Sequence, residues 1–129
     1  DQLPVATKSL EQLLQRHPKH VEGLLTLGDF YRWQGRDDDA LAVMGKVLAA
    51  DPWRMRVRLA RAQLLLAKGK PLDAQKDVDA IKSTVKNNPI VAHTQGLIFF
   101  AQGKYREALG AVQESLKGKP DFGPARVLV

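Results

Sequence analysis

Four arginines lie close together in the sequence near the middle of the chain, and their side chains could bind anions. Arg54, Arg56, Arg58 and Arg61 carry guanidinium groups, which bind carboxylates and phosphates through paired N–H donors. This cluster could hold an acidic peptide, a phosphate or a nucleic acid. However, the i, i+4, i+7 spacing of Arg54, Arg58 and Arg61 places these side chains on one side of a helix, where Asp37–Asp39 or Asp77 could pair with them. We favour ion pairing, because surface charge clusters usually have no specific ligand.

Acidic and histidine side chains give little support for a metal centre. Asp37–Asp39 lack a Gly and a distal Glu at the positions that would complete a calcium loop, whereas carboxylates suit the positive end of a helix dipole. The three histidines, His17, His20 and His93, have no second ligand set at metal-binding spacing, and the chain has no Cys. We therefore predict no metal and no cofactor.

Catalysis requires convergent groups, namely a nucleophile, a base and an orienting partner, or a metal. Lys68-Gly69-Lys70 and Lys117-Gly118-Lys119 resemble phosphate-binding loops only weakly, because no strand precedes them and no Ser or Thr follows the second Lys. We predict no catalytic residue and no enzymatic activity.

A repeat of 34 residues organises the elements that carry these side chains. Three series of small residues recur at this spacing: Gly28, Ala62 and Gly96; Gly35, Gly69 and Gly103; and Ala40, Ala74 and Ala108. A fixed period of this length is typical of stacked helix–turn–helix units. Apolar residues at 3–4 spacing predict helices throughout, and Gly or Pro residues mark their ends. The sequence predicts an all-α solenoid with an open surface for a partner.

These positions resemble the tetratricopeptide repeat. From Val21 the pattern of large, small and aromatic residues reads Leu24, Leu27, Gly28, Tyr31, Ala40, Met44, Val47 and Pro52. The resemblance implies a right-handed superhelical solenoid of antiparallel helix pairs, about three and a half repeats long, in a single array over 1–129. Its segments would be the second helix of a partial repeat (1–20), three repeats (21–54, 55–88 and 89–122) and the start of a truncated repeat (123–129).

The middle repeat departs from this pattern. Arg58 and Arg61 stand where apolar residues are usual, and Lys86 replaces the expected Pro. The Pro occurs three positions later, at Pro89. This shift predicts that the second helix of the repeat, which begins at Pro71, is longer by nearly one turn.

In the tetratricopeptide family the concave groove is lined by the first helix of each pair. Carried onto this sequence, the resemblance implies a mixed apolar and charged lining that could hold an extended or helical peptide. An alternative is that these residues only pack between repeats. The implied partner-binding residues are Glu22, Leu25, Asp29, Arg32, Trp33, Arg56, Leu59, Gln63, Leu66, Ile90, His93, Leu97 and Phe100.

A narrower resemblance concerns the stretches Arg58–Lys70 and Gln102–Arg126. They are similar to the long tetratricopeptide lipoproteins of PEP-CTERM/exosortase gene clusters, which are bacterial envelope proteins linked to exopolysaccharide and protein sorting. This resemblance implies a fragment of a longer array in the periplasm or cell envelope. Without it, the cytoplasm is the expected location.

We predict a non-catalytic protein–protein interaction scaffold whose partner is a protein or peptide. One alternative is a structural spacer within a longer array, and a weaker one is anion or nucleic-acid binding through the middle repeat. The net charge of +6 is concentrated there and does not form a uniform basic stripe, so nucleic acid is the less favoured partner. No apolar stretch is long enough for a membrane span. Uncovered apolar faces at the two ends predict possible end-to-end self-association.

Overall fold

The computed structural model describes residues 2–117. Within this part of the chain the structure contains seven α-helices and no β-strand, which confirms the all-α fold class. None of the described helices is both long and apolar enough to cross a bilayer. The truncated repeat predicted at 123–129 lies outside the described residues. The helices are α1 (Leu3–Arg16), α2 (Val21–Trp33), α3 (Asp37–Ala50), α4 (Met55–Ala67), α5 (Pro71–Lys82), α6 (Pro89–Ala101) and α7 (Tyr105–Lys117).

Three glycines form the turns between α2 and α3, α4 and α5, and α6 and α7. Gly35, Gly69 and Gly103 have φ angles of 73°, 78° and 76°, in the left-handed region where a side chain is strained. Each lies just beyond the last residue of a helix, where a residue of this conformation commonly ends the helix. The 34-residue spacing of these glycines is therefore a spacing of identical turns.

Side chains at the starts of the helices stabilise them in different ways. The Asn88 side chain accepts bonds from the backbone N–H groups of Ile90 (2.9 Å) and Val91 (3.3 Å), as expected for an N-cap. The His20 ring caps α2 through Nδ1, which accepts a bond of 2.9 Å from the N–H of Gly23, a role that the sequence did not suggest. Asp37–Asp39 occupy the first turn of α3, where their charge suits the helix dipole.

The prediction of a lengthened second helix in the middle repeat is wrong. Helix α5 ends at Lys82, and the chain continues through a loop in which Asn87 has a φ of 60°. The hydroxyl groups of Ser83 and Thr84 donate to the carbonyls of Ala80 (2.7 Å) and Ile81 (3.2 Å). Such local bonds offer the backbone an alternative to continuing the helix. The displaced Pro89 therefore lengthens the loop and not the helix.

The chain divides into two compact units between Arg58 and Leu59, so the boundary falls within α4. In the N-terminal unit, α2 packs against α1 and α3. In the C-terminal unit, α6 packs against α5 and α7. Each unit has its own buried apolar residues: Leu14, Leu24, Leu27, Tyr31, Ala40, Val43, Met44, Val47, Leu48 and Val57 in the first, and Leu59, Ala62, Ala74, Val78, Ile81, Val91, Ile98 and Ala108 in the second.

The small residues of the repeat that lie within the helices are buried, whereas the turn glycines are exposed. Gly28, Ala62 and Gly96 lie on the first helix of each pair. A Cβ on Gly28 would meet Val43 at 3.7 Å, and a Cβ on Gly96 would meet the equivalent Ala111 at 3.4 Å. The short side chains thus allow close approach of the paired helices.

Candidate partner-binding surfaces

Helix α6 carries an apolar stripe on its exposed side. Ile90, Leu97 and Phe100 are 54%, 40% and 64% exposed, and His93 lies exposed between them. The spacing i, i+3, i+7, i+10 places all four on one side of the helix. The Phe100 ring contacts the exposed Tyr105 ring of α7, with 5.4 Å between centroids. These are four of the predicted partner-binding residues, and the fold leaves them accessible.

The equivalent side of α2 is charged. Glu22, Asp29 and Arg32 are exposed at the positions that correspond to Ile90, Leu97 and Phe100, and Leu25 between them is half-buried. At the end of the helix Trp33 is 70% exposed, and its ring lies 5.9 Å from that of Phe30. The exposed side of the first helix of a repeat is therefore mainly charged on α2 and mainly apolar on α6.

On α4 the predicted partner-binding residues do not share one environment. Arg56 and Gln63 are exposed, and Leu66 is half-buried. Leu59 is only 7% exposed and belongs to the core of the C-terminal unit. Leu59 is therefore unavailable to a partner in this conformation, and we remove it from the proposed contact residues. The sequence pattern did not reveal this, because a leucine at that position fits either environment.

Most of the arginine cluster is engaged within the protein. Arg54 forms ion pairs with Asp51 (3.1 Å) and Glu22 (3.6 Å). The Arg58 Nε donates to the Pro52 carbonyl at 2.9 Å. Intramolecular partners thus occupy guanidinium groups that an external anion would otherwise use, as the ion-pairing interpretation expects.

The fourth arginine pairs with a buried carboxylate. Arg61 donates through Nε (2.8 Å) and Nη2 (2.6 Å) to the two carboxylate oxygens of Asp77, whose side chain is 2% exposed. This fork-like contact raises the pKa of the Arg61 guanidinium, with burial acting in the opposite direction. The N-terminal unit has Leu27 and Val43 at the equivalent positions. An ion pair therefore stands where the N-terminal unit has two buried apolar side chains.

A second polar contact joins α5 and α6. The buried Gln95 and the half-buried Gln75 exchange two amide hydrogen bonds of 2.6 and 2.7 Å. Lys82 also donates to the Gln95 carbonyl oxygen, at 2.9 Å, and Gln75 donates to Asp79. These partners satisfy the buried amide, which would otherwise destabilise the core.

In the N-terminal unit the main polar contact lies at the edge of the core. The Tyr31 hydroxyl donates a short hydrogen bond to Glu11 of α1, and the Arg36 guanidinium lies 4.4 Å from the centre of the Tyr31 ring. Arg36 also pairs with Asp39 at 2.9 Å. Burial and the bond to Glu11 raise the pKa of Tyr31 to about 12.

Helix α7 exposes a second apolar stripe that the sequence interpretation did not identify as a surface. Leu109, Val112 and Leu116 are exposed, together with Tyr105 at the start of the helix. Their 3–4 spacing was visible, but the repeat pattern assigns Val112 to the core. In the N-terminal unit the equivalents of Val112 and Leu116, namely Met44 and Leu48, are buried, so the exposure could be known only from the structure.

Comparison with known proteins identifies the repeat type. Residues 2–52 match the tetratricopeptide repeat model. Among solved structures, MamA has a TM-score of 0.82 at 20% identity, over 93% of this chain and 70% of its own. A MamA structure from Desulfovibrio magneticus RS-1 has a TM-score of 0.79 at 18% identity, over 92% and 67%.

A tetratricopeptide repeat protein from Parabacteroides merdae has a TM-score of 0.85 at 19% identity, over 92% of this chain and 46% of its own. None of the curated proteins matches the sequence significantly. At these identities the solved structures show the fold, which is that of tetratricopeptide repeat proteins. The family model shows the tetratricopeptide repeat itself in residues 2–52.

Proposed function

We propose that this chain is a non-catalytic scaffold that binds a peptide or helix of a partner protein through the exposed side of α6. The tetratricopeptide fold supports protein partners in general. The observation that carries the proposal is the apolar stripe of Ile90, Leu97 and Phe100 beside His93. Helix α6 also buries its opposite side, through Val91 and Ile98 among others, so folding alone does not require the exposed apolar residues.

Exposed apolar and aromatic clusters generally mark contact sites. A central aromatic side chain with apolar neighbours contributes a large share of the binding energy at protein interfaces. Phe100 has this character, because its ring is exposed and rests against Tyr105. The half-buried Leu66 and the exposed Gln63 of α4 are further proposed contacts in the same unit. On α2 the proposed contacts are Glu22, Leu25, Asp29, Arg32 and Trp33, with Arg56 on α4.

The test compares two matched double variants. Leu97→Glu/Phe100→Glu makes the α6 stripe acidic, whereas Asp29→Ala/Arg32→Ala removes the charges at the equivalent positions of α2. Cross-linked partners from the source cell would be quantified by mass spectrometry, with circular dichroism confirming equal helix content. We expect the α6 variant to lose the partner and the α2 variant to bind it only somewhat more weakly, because exposed charged contacts contribute less than apolar anchors. Retention by both would refute α6 as the binding surface.

A second candidate function is that of a spacer, and the exposed stripe of α7 favours it. Leu109, Val112 and Leu116 could pack against an adjacent repeat of a longer chain. In that case a longer natural chain should show a higher melting temperature, and Leu116→Glu should remove the gain. An unchanged melting temperature on extension would exclude this function.

We further propose that the scaffold acts within a bacterial envelope assembly factor for exopolysaccharide or protein sorting. This assignment depends on the lipoprotein resemblance of the sequence alone. The genes that neighbour the intact gene provide the check: exosortase and polysaccharide-synthesis genes are expected beside it, and their absence would contradict the assignment.

A further inference from the structure

The C-terminal unit has a groove on the side formed by α5, α6 and α7, away from the α6 stripe. Its volume is about 700 Å³. Apolar atoms of Val91, Ala92, Phe99 and Ala111 line its floor, and Gly110 leaves space along α7. The groove shares none of the residues of the proposed partner-binding surface. It therefore requires an explanation of its own.

A groove at the equivalent position of the N-terminal unit shows that the repeat architecture creates this space. That groove has a volume of about 550 Å³ and is lined by residues such as Leu24, Leu27, Tyr31 and Val43. The lining residues of the two grooves stand 68 residues apart in the sequence, so the two grooves are equivalent sites of the repeat.

Side-chain size distinguishes the two grooves. Leu24 and Val43 in the N-terminal unit correspond to Ala92 and Ala111 in the C-terminal unit. Two side chains shortened to methyl groups on facing helices leave a recess in the floor of the second groove. Such a recess is suited to an apolar side chain from outside.

Charges at the rim of the C-terminal groove are arranged in two rows. Lys82 at the end of α5 and Lys86 in the following loop lie on one edge. Glu107 and Glu114 lie along the α7 edge, which ends with Lys117. The two glutamates are seven residues apart on one helix, so their Cα atoms are separated by about 10 Å along the axis. A partner helix with basic residues seven apart would match this spacing. The rim thus selects for both charge signs at once.

We propose that this groove binds an amphipathic helix of a partner protein, with a leucine-sized residue between Ala92 and Ala111. Acidic residues on one edge of that helix face Lys82 and Lys86, and basic residues on the other edge face Glu107 and Glu114. Opposite potentials on the two edges fix the direction of the bound helix. The site is independent of the α6 stripe and adds a second docking surface to the protein.

Three synthetic fluorescent peptides of equal length, all with a leucine face, provide the probe. The first has Glu on one edge and Lys on the other, the second has Glu on both edges, and the third has Lys on both. Fluorescence anisotropy with the full chain should give the tightest binding for the mixed peptide, by about 10-fold. The net charge of +6 would by itself favour the all-Glu peptide. Tighter binding of the mixed peptide would therefore show that the charges at the groove rim select the ligand. Preference for the all-Glu peptide, or no measurable binding of any peptide, overturns the proposal.

Two variants locate the binding. Ala92→Leu/Ala111→Val installs the residues of the N-terminal unit and fills the recess, so the mixed peptide should bind about 10-fold more weakly. Glu107→Lys/Glu114→Lys changes only exposed side chains and should transfer the preference to the all-Glu peptide. The second variant keeps the test valid if the first fails to fold. An unchanged preference in the charge variant would contradict the proposal.

Leu97→Glu/Phe100→Glu distinguishes this groove from the α6 stripe. The stripe variant should bind the mixed peptide as the wild type does. If the stripe variant loses the peptide while Ala92→Leu/Ala111→Val still binds it, the peptide binds at α6. In that case the groove proposal fails and the proposed function stands.

Discussion

The two units share one repeat but differ in which positions are polar. In the N-terminal unit Leu27 and Val43 are buried apolar residues, and the exposed side of α2 carries charges. In the C-terminal unit Arg61 and Asp77 form an ion pair at the equivalent core positions, and the exposed side of α6 is apolar.

The comparison distinguishes the positions that fix the backbone of a repeat from the positions whose polarity can vary. The turns and the small residues at the helix contacts are the same in both units, because backbone geometry depends on them. Core polarity and surface polarity vary, because a core position tolerates a polar residue whose hydrogen bonds are satisfied. We expect the N-terminal unit to contribute more to stability and the C-terminal unit more to binding.

The largest predicted effect on stability tests the ion pair in the C-terminal unit. Asp77→Ala leaves the Arg61 guanidinium in a partly buried position without its carboxylate and should lower the free energy of unfolding by about 3 kcal/mol. The double variant Arg61→Leu/Asp77→Val, which installs the residues of the N-terminal unit, should recover most of this loss. Urea denaturation followed by circular dichroism measures both. A double variant as unstable as Asp77→Ala would show that the two units do not tolerate the same core.

A smaller effect is expected at Tyr31, whose equivalent in the C-terminal unit is Phe99. Tyr31→Phe removes the bond to Glu11 and should cost about 1 kcal/mol. The folded-state pKa of about 12 exceeds the ordinary value of 10.0, so this stabilisation is fully present below pH 10 and is lost as the pH rises toward 12. Absorbance of tyrosinate near 295 nm should show a late-titrating residue that disappears in Tyr31→Phe. Titration of Tyr31 near pH 10 in the wild type would contradict the assignment.

The turn glycines should behave alike in the two units. A Cβ at Gly35 or Gly103 would meet no atom within 4 Å, so substitution by Ala costs only the left-handed backbone strain. We expect both variants to lose about 1 kcal/mol of unfolding free energy. Thermal denaturation of the two proteins side by side provides the measurement. Unequal losses would show that the turns are not equivalent.

The smallest effects, of opposite sign, are expected at the helix-contact glycines. Gly28→Ala meets only Val43 at 3.7 Å and should stabilise the protein by about 0.5 kcal/mol through helix propensity. Gly96→Ala meets Val112 at 3.3 Å and the Ala108 carbonyl oxygen at 3.4 Å, so crowding should cancel that gain. The melting temperatures of both variants, compared with that of the wild type, measure these changes. Equal gains would mean that α6 and α7 adjust as readily as α2 and α3.

The sequence predicted helix bounds best where a terminating residue stood at each end. Helices α2 and α6 begin and end as the pattern indicates, with His17-Pro18 or Asn88 before them and Gly35 or Gly103 after them. The end of α5 was predicted wrongly, because the displaced Pro89 marks the start of α6, whereas local bonds of Ser83 and Thr84 end α5 earlier. The side-chain hydrogen bonds of Ser83 and Thr84 to the backbone are local features that indicate the observed end of α5.

By itself the sequence determined the repeat, most of its helices and its glycine turns, because periodicity and backbone preference are local properties. Tertiary structure decided which side chains are accessible. Leu59 proved buried, Leu116 proved exposed, and the groove lined by Ala92 and Ala111 proved larger than the one lined by Leu24 and Val43. Accessibility depends on which helices meet around a residue, and such contacts join positions that are distant along the chain.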